Sequence, residues 1–203
     1  SGAEMVECDV QLSRDGHAVI FHDADLVRIG NSKEKFGELT AADLLTRVQA
    51  PTLYSLLTDA DCPPLVNIEI KSGEVFGEGK LEAEIVRVVR EAGASDRVLI
   101  SSFNPAALRR VWKLAPDIPR ALLVTEENDP KNKIYLRRMW LGFLAKPHLI
   151  HVDKEMITAK RMENWSDRGI KVAAWTVNDQ ARATELLSQG AISIISDNLY
   201  AKR

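Results

Sequence analysis

From Leu65 onward the chain alternates between two kinds of segment, and that alternation leaves few folds open. Short runs rich in apolar and β-branched residues occur at Leu65–Ile70, 98–101, Arg120–Val124, 149–152, 171–177 and 192–196. Between them lie stretches of helical periodicity at 80–92, Pro105–Leu114, 131–145, 155–168 and 180–189. In the first of these Leu81, Ile85, Val88, Val89 and Ala92 share one face, and Gly93 supplies a stop. Asn104 stands where an N-cap is wanted before Pro105. Leu136, Met139, Trp140, Phe143 and Leu144 make a further stripe in 131–145. Strands that alternate with amphipathic helices predict parallel βα units, because only a crossover connection returns the chain parallel to itself.

The N-terminal part follows a different rule. Met5–Leu12 and 18–21 flank Ser13-Arg14-Asp15-Gly16-His17, and Asp-Gly between such runs predicts a hairpin. The segment 24–50 is polar, with a turn at Gly30-Asn31-Ser32-Lys33, a solvated charged loop at 33–35 and a short helix at 40–45. Pro51 is expected to open a helix over 52–59, which Cys62-Pro63-Pro64 ends. With Met5 onward as one barrel strand and 18–21 as a protruding return, the parallel strands number seven. An open arc would leave unpaired edges, which barrel closure removes. Closure needs an eighth strand, and such barrels typically run to ~250 residues. The expectation is a single α/β domain over 1–203, a TIM-type (β/α)8 barrel. Its first βα unit lies outside this sequence, its hairpin protrudes after the second strand, and 13–50 forms a small insertion.

Composition narrows the function classes. The formal net charge of −2 gives no reason to expect nucleic acid or an anionic membrane surface as partner. No run of about eighteen apolar residues predicts a spanning helix. Arg137, Arg138 and Trp140 fit a barrel helix with its apolar stripe inward better than an interfacial one. Cys8 and Cys62 read as free thiols rather than a disulfide framework. A cytoplasmic location is expected. Ser1-Gly2-Ala3 leads straight into a strand, so an upstream segment, where a signal peptide would stand, is expected before it.

Barrel chemistry gathers where strands end and βα loops begin. Glu7 and Asp9, Glu69 and Lys71, Ser101 and Ser102, Trp175 and Asp197 all fall at such ends. Residues two apart in a strand share a face, so Glu7 projects with Asp9 and Glu69 with Lys71. Two acids on an otherwise apolar strand need a partner. Glu69 and Lys71 alone would fit an ion pair, but with Glu7 and Asp9 they define an oxygen-rich site for Mg²⁺ or Ca²⁺. Zinc is disfavoured by the lack of closely spaced Cys/His pairs. His22, on the return of the hairpin, is the candidate for proton transfer. His17 reads as a solvated turn residue, and His148 and His151 as rim or packing residues. Lys71 could steady a phosphate oxygen. Trp175 is a candidate substrate wall, with a place in the core as the alternative.

The run from Glu7 to Asp23, of the form E-x-D-V-x-L-S-x-D-G-x-x-V-I-x-H-D, resembles the signature of glycerophosphodiester phosphodiesterases. Val66-Asn67-Ile68-Glu69-Ile70-Lys71, Ile100-Ser101-Ser102-Phe103, Ala174-Trp175-Thr176-Val177-Asn178 and Ile194-Ile195-Ser196-Asp197 resemble later segments of that family in the same order. The resemblance implies hydrolysis of glycerophosphodiesters to glycerol 3-phosphate and an alcohol, with a divalent cation. It implies attack on phosphorus by the neighbouring glycerol hydroxyl to give a cyclic intermediate, with two histidines exchanging proton roles. His22 would be one of them. The family's other histidine sits in a His-Arg-Gly on the first strand, which nothing upstream of Glu4 supplies. Two alternatives stand beside this: a related barrel phospholipase acting on lipid head groups, and a non-catalytic phosphodiester-binding barrel. The polarity of 24–50 speaks against the first.

Overall fold

A computed structural model describes residues 3–71, 77–126 and 146–198. Its centre is one eight-stranded sheet in the order β2-β1-β3-β4-β5-β6-β7-β8. The strands are β1 (Met5–Leu12), β2 (Ala18–Ile20), β3 (Leu65–Ile70), β4 (Val98–Ser102), β5 (Arg120–Val124), β6 (Leu149–Asp153), β7 (Lys171–Trp175) and β8 (Ser193–Ile194). β2 pairs antiparallel with β1 through Val10↔Ile20 and Leu12↔Ala18, and every other neighbouring pair is parallel. Seven parallel strands plus a hairpin return is the arrangement the alternation predicts. β1 and β8, the two ends of the parallel array, do not pair with each other among the described residues.

Alternation along each strand sorts the side chains. Cys8 and Val10 on β1, Val66, Ile68 and Ile70 on β3, Ile100 on β4, Leu122 and Val124 on β5, Ile150 and Val152 on β6, and Val172 and Ala174 on β7 join the main core. Three helices, α1 (Val27–Gly30), α2 (Ala41–Val48) and α3 (Leu53–Thr58), lie between β2 and β3 in the chain. Against the core strands pack Ile85, Val88 and Val89 of α4 (Lys80–Glu91), Leu108 and Val111 of α5 (Pro105–Leu114), Met162 of α6 (Ala159–Ser166) and Leu186 of α7 (Gln180–Ser188). The opposite faces therefore carry Glu7, Asp9, Asn67, Glu69, Ser101, His151 and Trp175. Layer packing of apolar faces fixes where the polar ones go.

Helix starts follow the capping residues in the sequence. Asn104 accepts from the Ala106 amide at the head of α5, and Asp179 accepts from Arg182 at the head of α7. Gly79 opens α4 at φ +72°, where a Cβ would lie 2.7 Å from Arg110 Cδ. That close approach lets Arg110 reach the buried Glu82 at 2.7 Å and tie α4 to α5.

Three details depart from the sequence reading. The stretch 155–168 is not one helix. A 3₁₀ turn, Lys154–Met156, is followed by α6, because Asp153 accepts from the Glu155 amide and Thr158 starts a new helix by accepting from Arg161. Pro51 does not occupy the first helical position, since Thr52 caps the helix Leu53–Thr58 through Ser55 and Pro51 gives its carbonyl to Ile20 N–H. The strand at 192–196 shortens to two residues. The helix expected at 131–145 lies outside the described residues.

The insertion also holds more than its polarity suggests. Val19, Phe21, Leu26, Phe36, Leu39, Leu44 and Ala50 form a second core, with Phe21 stacked on Phe36 at 5.5 Å between ring centroids. A capping box at Thr40 and Asp43 starts the helix Ala41–Val48 beneath it. Among the described residues no helix is long and apolar enough to cross a membrane. Phe36 is 2% exposed, so Phe36→Ala is expected to cost about 3–5 kcal/mol in denaturant unfolding. A loss below about 0.5 kcal/mol, the usual effect at a solvated loop, would contradict a packed insertion.

Candidate active site

Parallel pairing of β1 with β3 sets Glu7 beside Asn67 and Asp9 beside Glu69. Each acid projects away from the core because its neighbours, Cys8 and Val10 or Ile68 and Ile70, fill it. Carboxylate oxygens of Glu7, Asp9 and Glu69 all lie within 4.8 Å of one another. Lys71 follows β3 directly, and its amide donates to the Val10 carbonyl at 3.1 Å, which keeps it alongside β1. From there its Nζ reaches Glu69 Oε1 at 2.7 Å and Asp9 Oδ1 at 3.0 Å. The ion pair that the Glu69/Lys71 spacing suggested is present, and it is shared with Asp9.

One lysine does not balance three acids. Burial, with the charges of Asp9, Glu69 and Asp197 adding to it, pushes the Glu7 carboxyl up to about 8 despite Lys71. Burial also raises Glu69, against the pull of Lys71. For Lys71 burial works the other way, but Glu69 and Asp9 together outweigh it and hold the ammonium above its ordinary value. Glu7 makes no ion pair among the described residues. Three converging oxygens from hard donors, one of them uncompensated, suit a hard cation such as Mg²⁺ or Ca²⁺. The residues present therefore fit the group the sequence implied.

His22 stands one residue beyond Phe21, whose N–H donates to the Asp9 carbonyl at 2.9 Å. The hairpin thus returns the imidazole to the carboxylate end of β1, where a protonated ring would act on Glu69. The ring is 60% exposed, and its Nδ1 lies 2.8 Å from Asp23 Oδ1. Trp175 is half-buried at the end of β7 and meets Phe103 edge-to-face at 5.6 Å between ring centroids. Its Nε1 has no hydrogen-bond partner among the described residues.

The other residues at strand ends divide. Ser102 is a brace, since its hydroxyl donates to the Ile70 carbonyl and accepts from the Asn104 amide. Ser101 is buried, and its hydroxyl has no hydrogen-bond partner among the described residues. Asp197 accepts from the Asn178 side chain at 3.1 Å and acts on Glu7. His17 is paired with Asp15 in the exposed turn. His148 accepts from the Arg120 amide at the opposite end of the sheet, and His151 is buried, its imidazole pushed down to about 4 by burial. Sequence reasoning did not single out Gln11, Asp23 and Arg28, which surround His22. The only cue was the Asp that follows His22 in the motif.

The chain is similar in sequence and fold to known proteins. The sequence profile of the Glycerophosphoryl diester phosphodiesterase family matches residues 1–201. A glycerophosphodiester phosphodiesterase of Caldanaerobacter subterraneus subsp. tengcongensis is 32% identical over 218 residues, which cover 97% of this chain and 83% of that one. The structure of an Oleispira antarctica phosphodiesterase, in complex with the product sn-glycerol-3-phosphate, superposes with a TM-score of 0.81 at 27% identity, covering 97% of this chain and 82% of that chain. The glycerophosphodiester phosphodiesterase of Thermotoga maritima gives a TM-score of 0.75 at 24% identity, with coverage of 97% and 82%, which is a likeness of fold. These neighbours are TIM barrels, and the chain shares their architecture. By profile match and by overall identity, this chain belongs to the glycerophosphoryl diester phosphodiesterase family.

Proposed function

We propose that this domain hydrolyses glycerophosphodiesters to glycerol 3-phosphate and an alcohol, and that it needs a divalent cation to do so. The observation that carries the reading is the convergence of Glu7, Asp9 and Glu69 within 4.8 Å beside Lys71. Glu7, Asp9 and Glu69 would hold the cation, Mg²⁺ or Ca²⁺, which supplies charge neutralisation at phosphate and polarises an attacking hydroxyl. Lys71 places a fixed ammonium where it can meet a phosphoryl oxygen as negative charge builds. His22 accepts the proton of the attacking hydroxyl or returns one to the departing alcohol. In sum one P–O bond breaks, and water provides the new oxygen on phosphorus and the proton on the alcohol. Trp175, with Phe103 beside it, offers a flat apolar wall to the glycerol carbons, and its indole N–H, unpartnered among the described residues, can meet a hydroxyl. The membership of the family and the product complex of the Oleispira antarctica relative support this substrate class.

Chelation is expected to abolish turnover of a glycerophosphodiester, and Mg²⁺ or Ca²⁺ to restore it. A second readout does not depend on activity. Glu7 holds its proton more tightly in the folded protein, up to about 8, than in the unfolded chain at 4.5. The chelated protein therefore loses stability as pH rises through that interval. Added cation should remove the decline by favouring the ionised carboxylate. Melting temperatures across the interval, with and without cation, check this. A pH-independent Tm in the chelated protein, or no effect of either cation on it, would contradict the assignment.

His22→Ala should lower kcat by about 10²–10⁴-fold. Folding and cation affinity should survive, because the ring is exposed and the cation's ligands are carboxylates. Near-normal kcat in the folded, cation-loaded variant would remove His22 from the mechanism.

A further inference from the structure

We propose that Gln11, Asp23 and Arg28 are positioning residues that fix His22 as its Nδ1–H tautomer, leaving Nε2 as the basic nitrogen offered to substrate. Its functional half rests on the reading of His22 as the proton carrier. The structural half stands on geometry alone. Gln11 lies two residues past Asp9, and its Nε2 donates to the carbonyls of Phe21 and Asp23, each at 2.8 Å. Those are the residues on either side of His22. A carboxamide has two N–H donors, and here both are spent on the backbone that carries the imidazole. Only the NH₂ end can face two carbonyls, so the orientation of the amide follows from its partners.

The ring itself is held by a relay. His22 Nδ1 is 2.8 Å from Asp23 Oδ1, and Arg28 Nε donates to Asp23 Oδ2 at 2.7 Å. Arg28 first, and the His22 contact second, hold the Asp23 carboxyl below the ordinary range, so at neutral pH it accepts and cannot donate. The proton between Asp23 and His22 therefore sits on Nδ1, and the partner of one ring nitrogen determines the state of the other. A free imidazole in water favours the opposite tautomer. An exposed ring on a loop would also wander, and misplacement by about 1 Å can cost on the order of 10²-fold in rate. One arm, from β1, fixes the backbone. The other, from the helix Val27–Gly30, fixes the ring and its proton.

The test is a long-range ¹H–¹⁵N correlation on ¹⁵N-histidine-labelled protein at alkaline pH, where the rings are neutral. With four histidines in the chain, His22→Gln assigns the His22 ring by the loss of its signals. The wild type should show Nδ1–H. In Asp23→Asn, Arg28 keeps the side-chain oxygen and the new NH₂ faces Nδ1, so the tautomer should switch to Nε2–H. In Gln11→Met, which removes both donors at similar length, the two tautomers should mix. Its kcat should fall about 10- to 100-fold while KM stays within about two-fold. An Nε2–H ring in the wild type, or an unchanged tautomer in Asp23→Asn, would overturn the relay. Unchanged kcat in Gln11→Met would remove Gln11 from it. The kcat of His22→Gln separates the two claims. Full activity there sinks the proton-carrier reading whatever the tautomer, whereas an inactive His22→Gln with the wrong wild-type tautomer sinks the relay alone.

Discussion

Asp9 and Glu69 face each other across the β1/β3 pairing, with Glu7 two residues away on the same face. Like charges set opposite in a sheet destabilise it, and burial adds to the cost. Lys71 offsets part of it by reaching both Asp9 and Glu69, but Glu7 is left with its carboxyl pushed up to about 8. A carboxylate group that the fold alone does not satisfy is poised for a cation. The register of two strands thus creates both the electrostatic cost and the site at which we propose a cation relieves it.

That register is enforced from the other side of the sheet. Cys8, Val10, Ile68 and Ile70 are buried among the helices, and a slip of one residue would exchange them for the acids. The same alternation brings the Trp175 indole to the face opposite Ala174 and Val172. The hairpin adds what parallel strands cannot, a residue carried back antiparallel to the carboxylate end of β1. The insertion core beneath Phe21 keeps that return in place, since Phe21 stacks on Phe36 and donates to Asp9. The packed insertion therefore bears on the site as well as on stability.

The alternation of strands and helices was legible because burial on one face imposes periods of 2 and 3.6 on the residues. Glu7, Asp9, Glu69 and Lys71 were legible for the same reason, as polar residues interrupting apolar strands. The insertion core was not, because Leu26 and Leu39 lie in loops and Phe36 in a 3₁₀ turn, so the residues that meet Leu44 of the helix Ala41–Val48 follow no period. The break between the 3₁₀ turn and α6 was hidden because Thr158 looks like any polar residue until its hydroxyl is seen on the Arg161 amide. Gln11 was hidden because its partners lie 10 and 12 residues away, across a hairpin whose geometry sets the contact. Arg28 bonds Asp23 at a separation of five residues, which no regular period marks.

The central claim is that Glu7, Asp9 and Glu69 share one hard cation. Anomalous diffraction from crystals grown with Mn²⁺, a scatterer that accepts the same oxygen ligands, tests it directly. The account predicts one strong peak within about 2.0–2.6 Å of an oxygen from each of the three carboxylates. A cluster without a peak, or a peak held by other residues while Lys71 alone stays in contact with Asp9 and Glu69, would contradict it.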